Sequence, residues 1–200
     1  MTATLSLFPT LAHDATFAPE SRVWVYTTNR PLTDAEVFSA QQALGAFTRQ
    51  WTAHNQALFA KAEVFQNQFV ILMVDESRSG ASGCSIDKSV HFLEGLGQEI
   101  GVDFFERMRF AWIENGEMLF ADRTEFSAKV ASGKIAEETL VVNTLVQTKQ
   151  DLEEKWLLPF GKSWHRRVGF SPPLAFCFFY SKPPLSPLIL KAPPRNPKPR

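Results

Sequence analysis

Cysteine is scarce in this chain: Cys84 and Cys177 are the two in 200 residues, and their spacing frames no disulfide network. A disulfide scaffold is therefore excluded, and free thiols suit a reducing cytoplasm, where the protein is expected. No zinc-ligand pattern is present, so no metal is expected, and no particular cofactor is implied. No uninterrupted apolar run reaches the roughly 18 residues that would mark a membrane span. Residues 1–20 lack the basic and apolar regions of a signal peptide. Acidic residues stop at Glu154, after which nine Lys and Arg follow. Residues 1–154 hold 12 basic and 21 acidic residues, a balance of −9. A broad basic face is thus excluded there, and no nucleic acid is expected as a partner of residues 1–166.

Hydrophobic residues are plentiful, at 44% with 18 phenylalanines, enough to bury one sizeable core. Residues 1–20 read as an extended lead-in with little periodicity, and residues 21–166 as a single α+β domain. Residues 167–200 form a basic tail with nine of the chain's 13 prolines. Its Pro172-Pro173, Pro183-Pro184 and Pro193-Pro194 pairs exclude a long helix, so the tail is expected to be poorly ordered. Its apolar patch Leu174-Ala-Phe-Cys-Phe-Phe-Tyr180 would suit docking on a membrane or a partner domain.

Within the domain, Arg22-Val-Trp-Val-Tyr-Thr-Thr28 is rich in β-branched and aromatic residues and predicts a strand. Thr33-Asp-Ala-Glu36 is a capping box, and Val37, Ala40, Leu44, Phe47 and Trp51 recur at helical spacing. Ala60–Phe65 and Phe69–Val74 predict two strands across a Gln66-Asn67-Gln68 turn. A second helix, starting near Ile86, would bury Ile86, Val90, Leu93, Gly97 and Ile100, with Phe92 and Leu96. Arg109–Ile113 completes the order βαββαβ, the ferredoxin-like pattern of a four-stranded antiparallel sheet with two helices on one face. Met118–Ala121, a short helix over Thr124–Val130, Thr139–Val142 and a helix over Thr148–Trp156 form a C-terminal strand-helix extension.

The chemistry concentrates after the apolar strand Phe69–Val74. Asp75 ends it, at the place where ligands collect in open α/β sheets; a loop-capping carboxylate is the plainer role. The following loop is rich in serine and glycine, and Gly83, Ser85 and Lys88 stand where helix-start N–H groups would hold a small anion. A phosphate loop of the Gly-x-x-x-x-Gly-Lys-Ser type is excluded, because its glycine places hold Ser82 and Asp87. Cys84, Asp87 and His91 fall off the apolar stripe on one side of the helix. A thiol near a helix start with an imidazole and a carboxylate nearby suits a nucleophile and its base. The same residues also suit a capped, solvated helix face. His54 lies in a loop or frayed helix end. Trp164 and His165 either close over a site or pin the end of the chain.

The runs Arg22-Val-Trp-Val-Tyr26, Phe47-Thr-Arg-Gln-Trp-Thr-Ala-His54, Gly80-Ala-Ser-Gly-Cys-Ser-Ile-Asp-Lys-Ser-Val-His-Phe92, Asn143-Thr-Leu-Val-Gln-Thr-Lys149 and Ser163-Trp-His165 resemble an uncharacterised bacterial protein family. Its members are often labelled ABC transporter ATPase, and the similarity covers roughly Ser21 to Arg166. The resemblance implies no residue-level activity. The chain carries neither a Walker A motif nor the Leu-Ser-Gly-Gly-Gln signature that such a label requires. Two function classes are therefore expected. One is a small-anion-binding or Cys-dependent enzyme-like domain with its site at Gly80–His91. The other is a non-catalytic module that binds a protein partner.

Overall fold

A computed structural model describes residues 7–77 and 80–169. After a short 3-10 turn at Thr10–His13, the first strand β1 (Arg22–Thr27) leads into α1 (Asp34–Gln50). The capping box seen in the sequence forms: Thr33 N–H donates to Glu36 (2.8 Å) and Glu36 N–H to the Thr33 hydroxyl (3.3 Å). Arg30 grips the same carboxylate with two hydrogen bonds of 2.9 and 2.7 Å. That guanidinium holds the Glu36 carboxyl down at about 2. A small hairpin follows, β2 (Thr52–Ala53) and β3 (Gln56–Ala57), then β4 (Phe59–Phe65), β5 (Phe69–Asp75) and α2 (Gly83–Ile100).

β5 is the middle strand of the first sheet, antiparallel to both β1 and β4. β1 and β4 thus run parallel with β5 between them, the split βαβ arrangement. Every residue of β5 is buried because both faces are covered. Val70, Leu72 and Val74 meet Leu44 of α1 and Leu93 of α2. The alternate Phe69, Ile71 and Met73 face the other way, toward the rest of the chain. The edge strand β4 is closed by a side chain. Gln41 donates to the Ala62 carbonyl (3.0 Å) and accepts from Val64 N–H (2.8 Å), which satisfies backbone groups that an unpaired edge would expose.

The fourth strand does not complete this sheet. β6 (Arg109–Glu114) pairs instead with β7 (Glu117–Asp122) across a two-residue turn, and with β8 (Leu140–Val142), which pairs with β9 (Leu157–Pro159). The second sheet therefore has the order β7-β6-β8-β9. Two causes act together. Asn115 and Gly116, at φ 53° and 80°, make a tight hairpin turn that aligns six residues of β6 with β7. Phe110 and Trp112 also require an apolar face of their own, which α3 (Arg123–Ala131) supplies through Phe126. The outer edge of β1 is taken by irregular segments, with Val23 N–H donating to Gln147 (2.8 Å) and Glu106 N–H to Thr27 (3.1 Å). The ferredoxin-like expectation thus gives way to an α+β arrangement of two antiparallel sheets.

Three clusters describe the layers. The first sheet packs α1 and α2 on one face. On its other face, Ile71, Met73 and Val23 meet Ala111 and Val142 of the second sheet, together with Leu152 and Trp156. Leu152 belongs to α4 (Lys149–Glu154), capped by Thr148. The far face of the second sheet packs α3, Ile135 and Phe160. The chain then ends its described part in α5 (Arg166–Gly169).

One further expectation changes among the described residues. The lead-in is not a free extended arm: Leu11, Ala12 and Phe17 are buried in the central cluster. Glu63 of β4 holds it by accepting from the backbone N–H groups of Thr10 and Leu11, both at 3.0 Å. Lys61 also pairs with Asp14 at 2.6 Å. The tail from Phe170 onward lies outside the described residues, as do Arg78 and Ser79 of the loop before α2.

Candidate functional site

α2 begins earlier than its apolar periodicity predicts, because Ser82 and Ser85 form a reciprocal capping box. The Ser85 hydroxyl accepts from Ser82 N–H and donates to the Ser82 carbonyl, both at 2.8 Å. The buried stripe is consequently Ser85, Ser89, Leu93, Leu96 and Gly97, with Ile86 and Val90 half-buried beside it. Two polar side chains on neighbouring elements explain this rotation. Trp51 Nε1–H donates to the Ser85 carbonyl (2.8 Å), and Tyr26 hydrogen-bonds Ser89. Both contacts need small residues on the inner face of the helix.

The outer face carries Gly83, Cys84, Asp87, Lys88 and His91, all exposed. Cys84 is the free thiol among the described residues. His91 Nδ1 lies 2.8 Å from the Asp87 carbonyl oxygen. A carbonyl only accepts, so Nδ1 carries a proton. Seven residues of helix separate Cys84 from His91, a rise of about 10 Å, so a thiol–imidazole hydrogen bond does not form. Asp75 is buried and accepts from Ser77 N–H (3.0 Å), the geometry of a loop cap. His54 and Asn55, at φ 49° and 63°, make the turn of the β2–β3 hairpin, and His54 is exposed there.

Trp164 and His165 stand elsewhere. They help line a cleft of about 440 Å³ between the two sheets, whose walls come from Val25–Thr27 of β1, Phe104–Arg107, the start of β6, Val142, Thr144 and Leu145. None of the α2 residues lines it. The elements that meet here are widely separated in sequence, and the cleft opens where β6 leaves the first sheet. Its size falls within the range of about 300–1,000 Å³ common for small-molecule sites.

The cleft is apolar with polar groups at defined points. Phe104 and Phe110 are buried, Leu145 is 62% exposed at its rim, and Tyr26 packs edge-on against Phe105. Burial raises the Tyr26 phenol above its ordinary pKa. Arg109 donates through Nε to Gln68 Oε1 (2.5 Å) and lies over the Phe120 ring, so its position is set. Glu106 accepts from Met108 N–H at 2.6 Å. Arg107 is exposed and has no hydrogen-bond or ion-pair partner among the described residues.

His165 is buried, stacks on Trp164 with ring centres 3.9 Å apart, and meets Phe110 edge-on. Ser163 Oγ lies 2.6 Å from its Nδ1 and accepts from its backbone N–H (3.4 Å). Burial pushes the imidazole pKa down to about 4. His165 is therefore neutral at pH 7. The Trp164 end of the cleft carries no charge from it, while the Arg107 side is positive.

No family model, curated protein or solved structure matches this chain. The functional reading therefore rests on geometry. Among the described residues no group of three or more His, Cys, Asp or Glu is placed to hold a metal ion. No helix among them is long and apolar enough to cross a membrane. Sequence reasoning reached Trp164 and His165 but passed over Tyr26, Arg107 and Arg109. Nothing local marks those three. They become neighbours only when the post-α2 segment crosses the end of β1.

Proposed function

We propose that this chain is a ligand-binding domain whose inter-sheet cleft takes a small apolar molecule bearing one anionic group. The unpartnered guanidinium of Arg107 in a largely apolar wall carries this proposal. An anion there gains a charge-assisted hydrogen bond, worth about 1.5–3 kcal/mol. Glu106 in the same wall opposes it, and the charge of Arg109 offsets that opposition. The test is calorimetric titration with 4-phenylbutanoate, a monoacid with an apolar body. Arg107→Gln should weaken binding about tenfold. Absence of binding by the wild-type chain, or equal affinity in the variant, would reject the proposal and favour a protein-binding module.

A second reading retains the outer face of α2 as a Cys-dependent site. Its support is the exposed Cys84 thiol on the same face as His91, whose neutral ring would offer Nε2 as a base. A substrate would have to bridge the two, because the helix separates them. Loss of turnover in Cys84→Ala with unchanged folding would favour it. Under either reading we take the first sheet with α1 and α2 as related to a ferredoxin-like unit, without the fourth strand that this pattern requires in the same sheet. A cytoplasmic setting rests on the scarcity of cysteine, and the expected lack of a nucleic-acid partner on the −9 balance of residues 1–154. The family resemblance adds no residue-level role.

A further inference from the structure

One polar group in the cleft wall has no place in a simple anion site. Trp164 Nε1 is withdrawn from solvent and has no hydrogen-bond partner. The other deeply buried indoles are all satisfied: Trp51 donates to Ser85 (2.8 Å), Trp156 to Leu7 (3.1 Å) and Trp112 to Glu114 (3.4 Å). An orphaned donor of this kind costs roughly 1–3 kcal/mol. His165 does not supply the acceptor. Its ring lies nearly parallel to the indole, at 28°, so an in-plane N–H does not aim at an imidazole nitrogen. Backbone and side-chain acceptors of the described residues leave the atom unpaired.

We propose that the missing acceptor belongs to the ligand: an apolar monoacid that also carries a neutral keto, ether or amide oxygen, read by the Trp164 N–H. This rests on the cleft being the anion site proposed above. The charge distribution orients the molecule. Arg107 supplies positive charge at its end of the cleft, so the anionic head lies toward Arg107 and the uncharged oxygen toward Trp164. Because the indole nitrogen is shielded, the ring edge must shift slightly as the ligand enters. Binding should then change the indole's own environment.

The experiment compares 4-phenylbutanoate with 4-oxo-4-phenylbutanoate on the full chain, by calorimetry and by ¹H–¹⁵N spectra of the indole N–H groups. Trp164→Phe, which keeps an aromatic ring, assigns the Trp164 signal. The oxo acid should bind about tenfold more tightly. It should shift the Trp164 indole proton downfield, as a new hydrogen bond does, where the parent acid leaves it unmoved. Trp164→Phe should erase the affinity difference, and Arg107→Gln should weaken both acids alike. Equal affinities with an unmoved indole, alongside the Arg107 effect, overturn the acceptor proposal and leave the anion site standing. If neither acid binds, or Arg107→Gln changes neither, both proposals fall. The wild-type indole shift needs no folded variant, so a Trp164→Phe chain that fails to fold does not shelter the idea.

Discussion

Acidification should begin to destabilise this protein through His165 before its carboxylates titrate. In the folded chain the imidazole is buried and its pKa is held down at about 4; in the unfolded chain it returns to about 6.5. The unfolded state therefore binds the proton first, so stability is full above pH 6.5 and falls as the pH drops toward 4. At about 1.36 kcal/mol per pKa unit, the loss by pH 4 is on the order of 3 kcal/mol. Urea unfolding followed by circular dichroism from pH 7.5 to 3.5, on the wild type and on His165→Asn, measures this directly. The variant removes the titrating ring and keeps a polar atom near Nδ1, so subtraction isolates the His165 term. The carboxylates of Asp14 and Glu36, both held at about 2, lose their contributions as the pH falls from about 5 toward 2, alike in the two proteins, so the subtraction removes them. A difference between the two proteins that stays constant between pH 6.5 and 4 would refute the reasoning, because it would mean that the buried imidazole is not held neutral.

Gly97→Ala should destabilise by about 1–3 kcal/mol despite the better helix propensity of alanine, since a Cβ there would lie 2.4 Å from the backbone oxygen of Val102; thermal melts decide the sign, and a stabilised variant would count against the packing argument. Glu63→Ala removes the acceptor that holds the N–H groups of Thr10 and Leu11. It should lower stability by about 1–3 kcal/mol and raise amide exchange at Leu11 before the rest of the chain. Unchanged exchange would mean that burial of Leu11 and Phe17 alone holds the lead-in. Cys84→Ala, at an exposed position, should move stability by no more than about 0.5 kcal/mol. A larger loss would show that the thiol is packed.

Local signals in the sequence carried the first half of the fold. The Thr33–Glu36 capping box, the β-branched and aromatic residues of the first strand and the apolar run of β5 each act over a few residues, and each appears where its pattern puts it. The helix start at Ser82 was missed because apolar periodicity was read in preference to a serine pair that caps itself. The small hairpin at Thr52–Ala57 was missed for a related reason: two residues with positive φ, His54 and Asn55, lack the glycine that usually announces such a turn.

What the sequence determined by itself was the longer strands and helices, since helix caps and apolar runs depend on neighbours within a few residues. Only the tertiary structure decided which sheet β6 joins, since that depends on the competition between the edge of β1 and the apolar face offered by Phe126 and Val141, far along the chain. The cleft follows from that choice. Tyr26, Arg107, Val142 and Trp164 carry no common motif and meet because β6 departs from β1. Cys84 and His91 had a readable spacing, but the inner-face hydrogen bonds of Ser85 and Ser89 turned them toward solvent and away from the cleft.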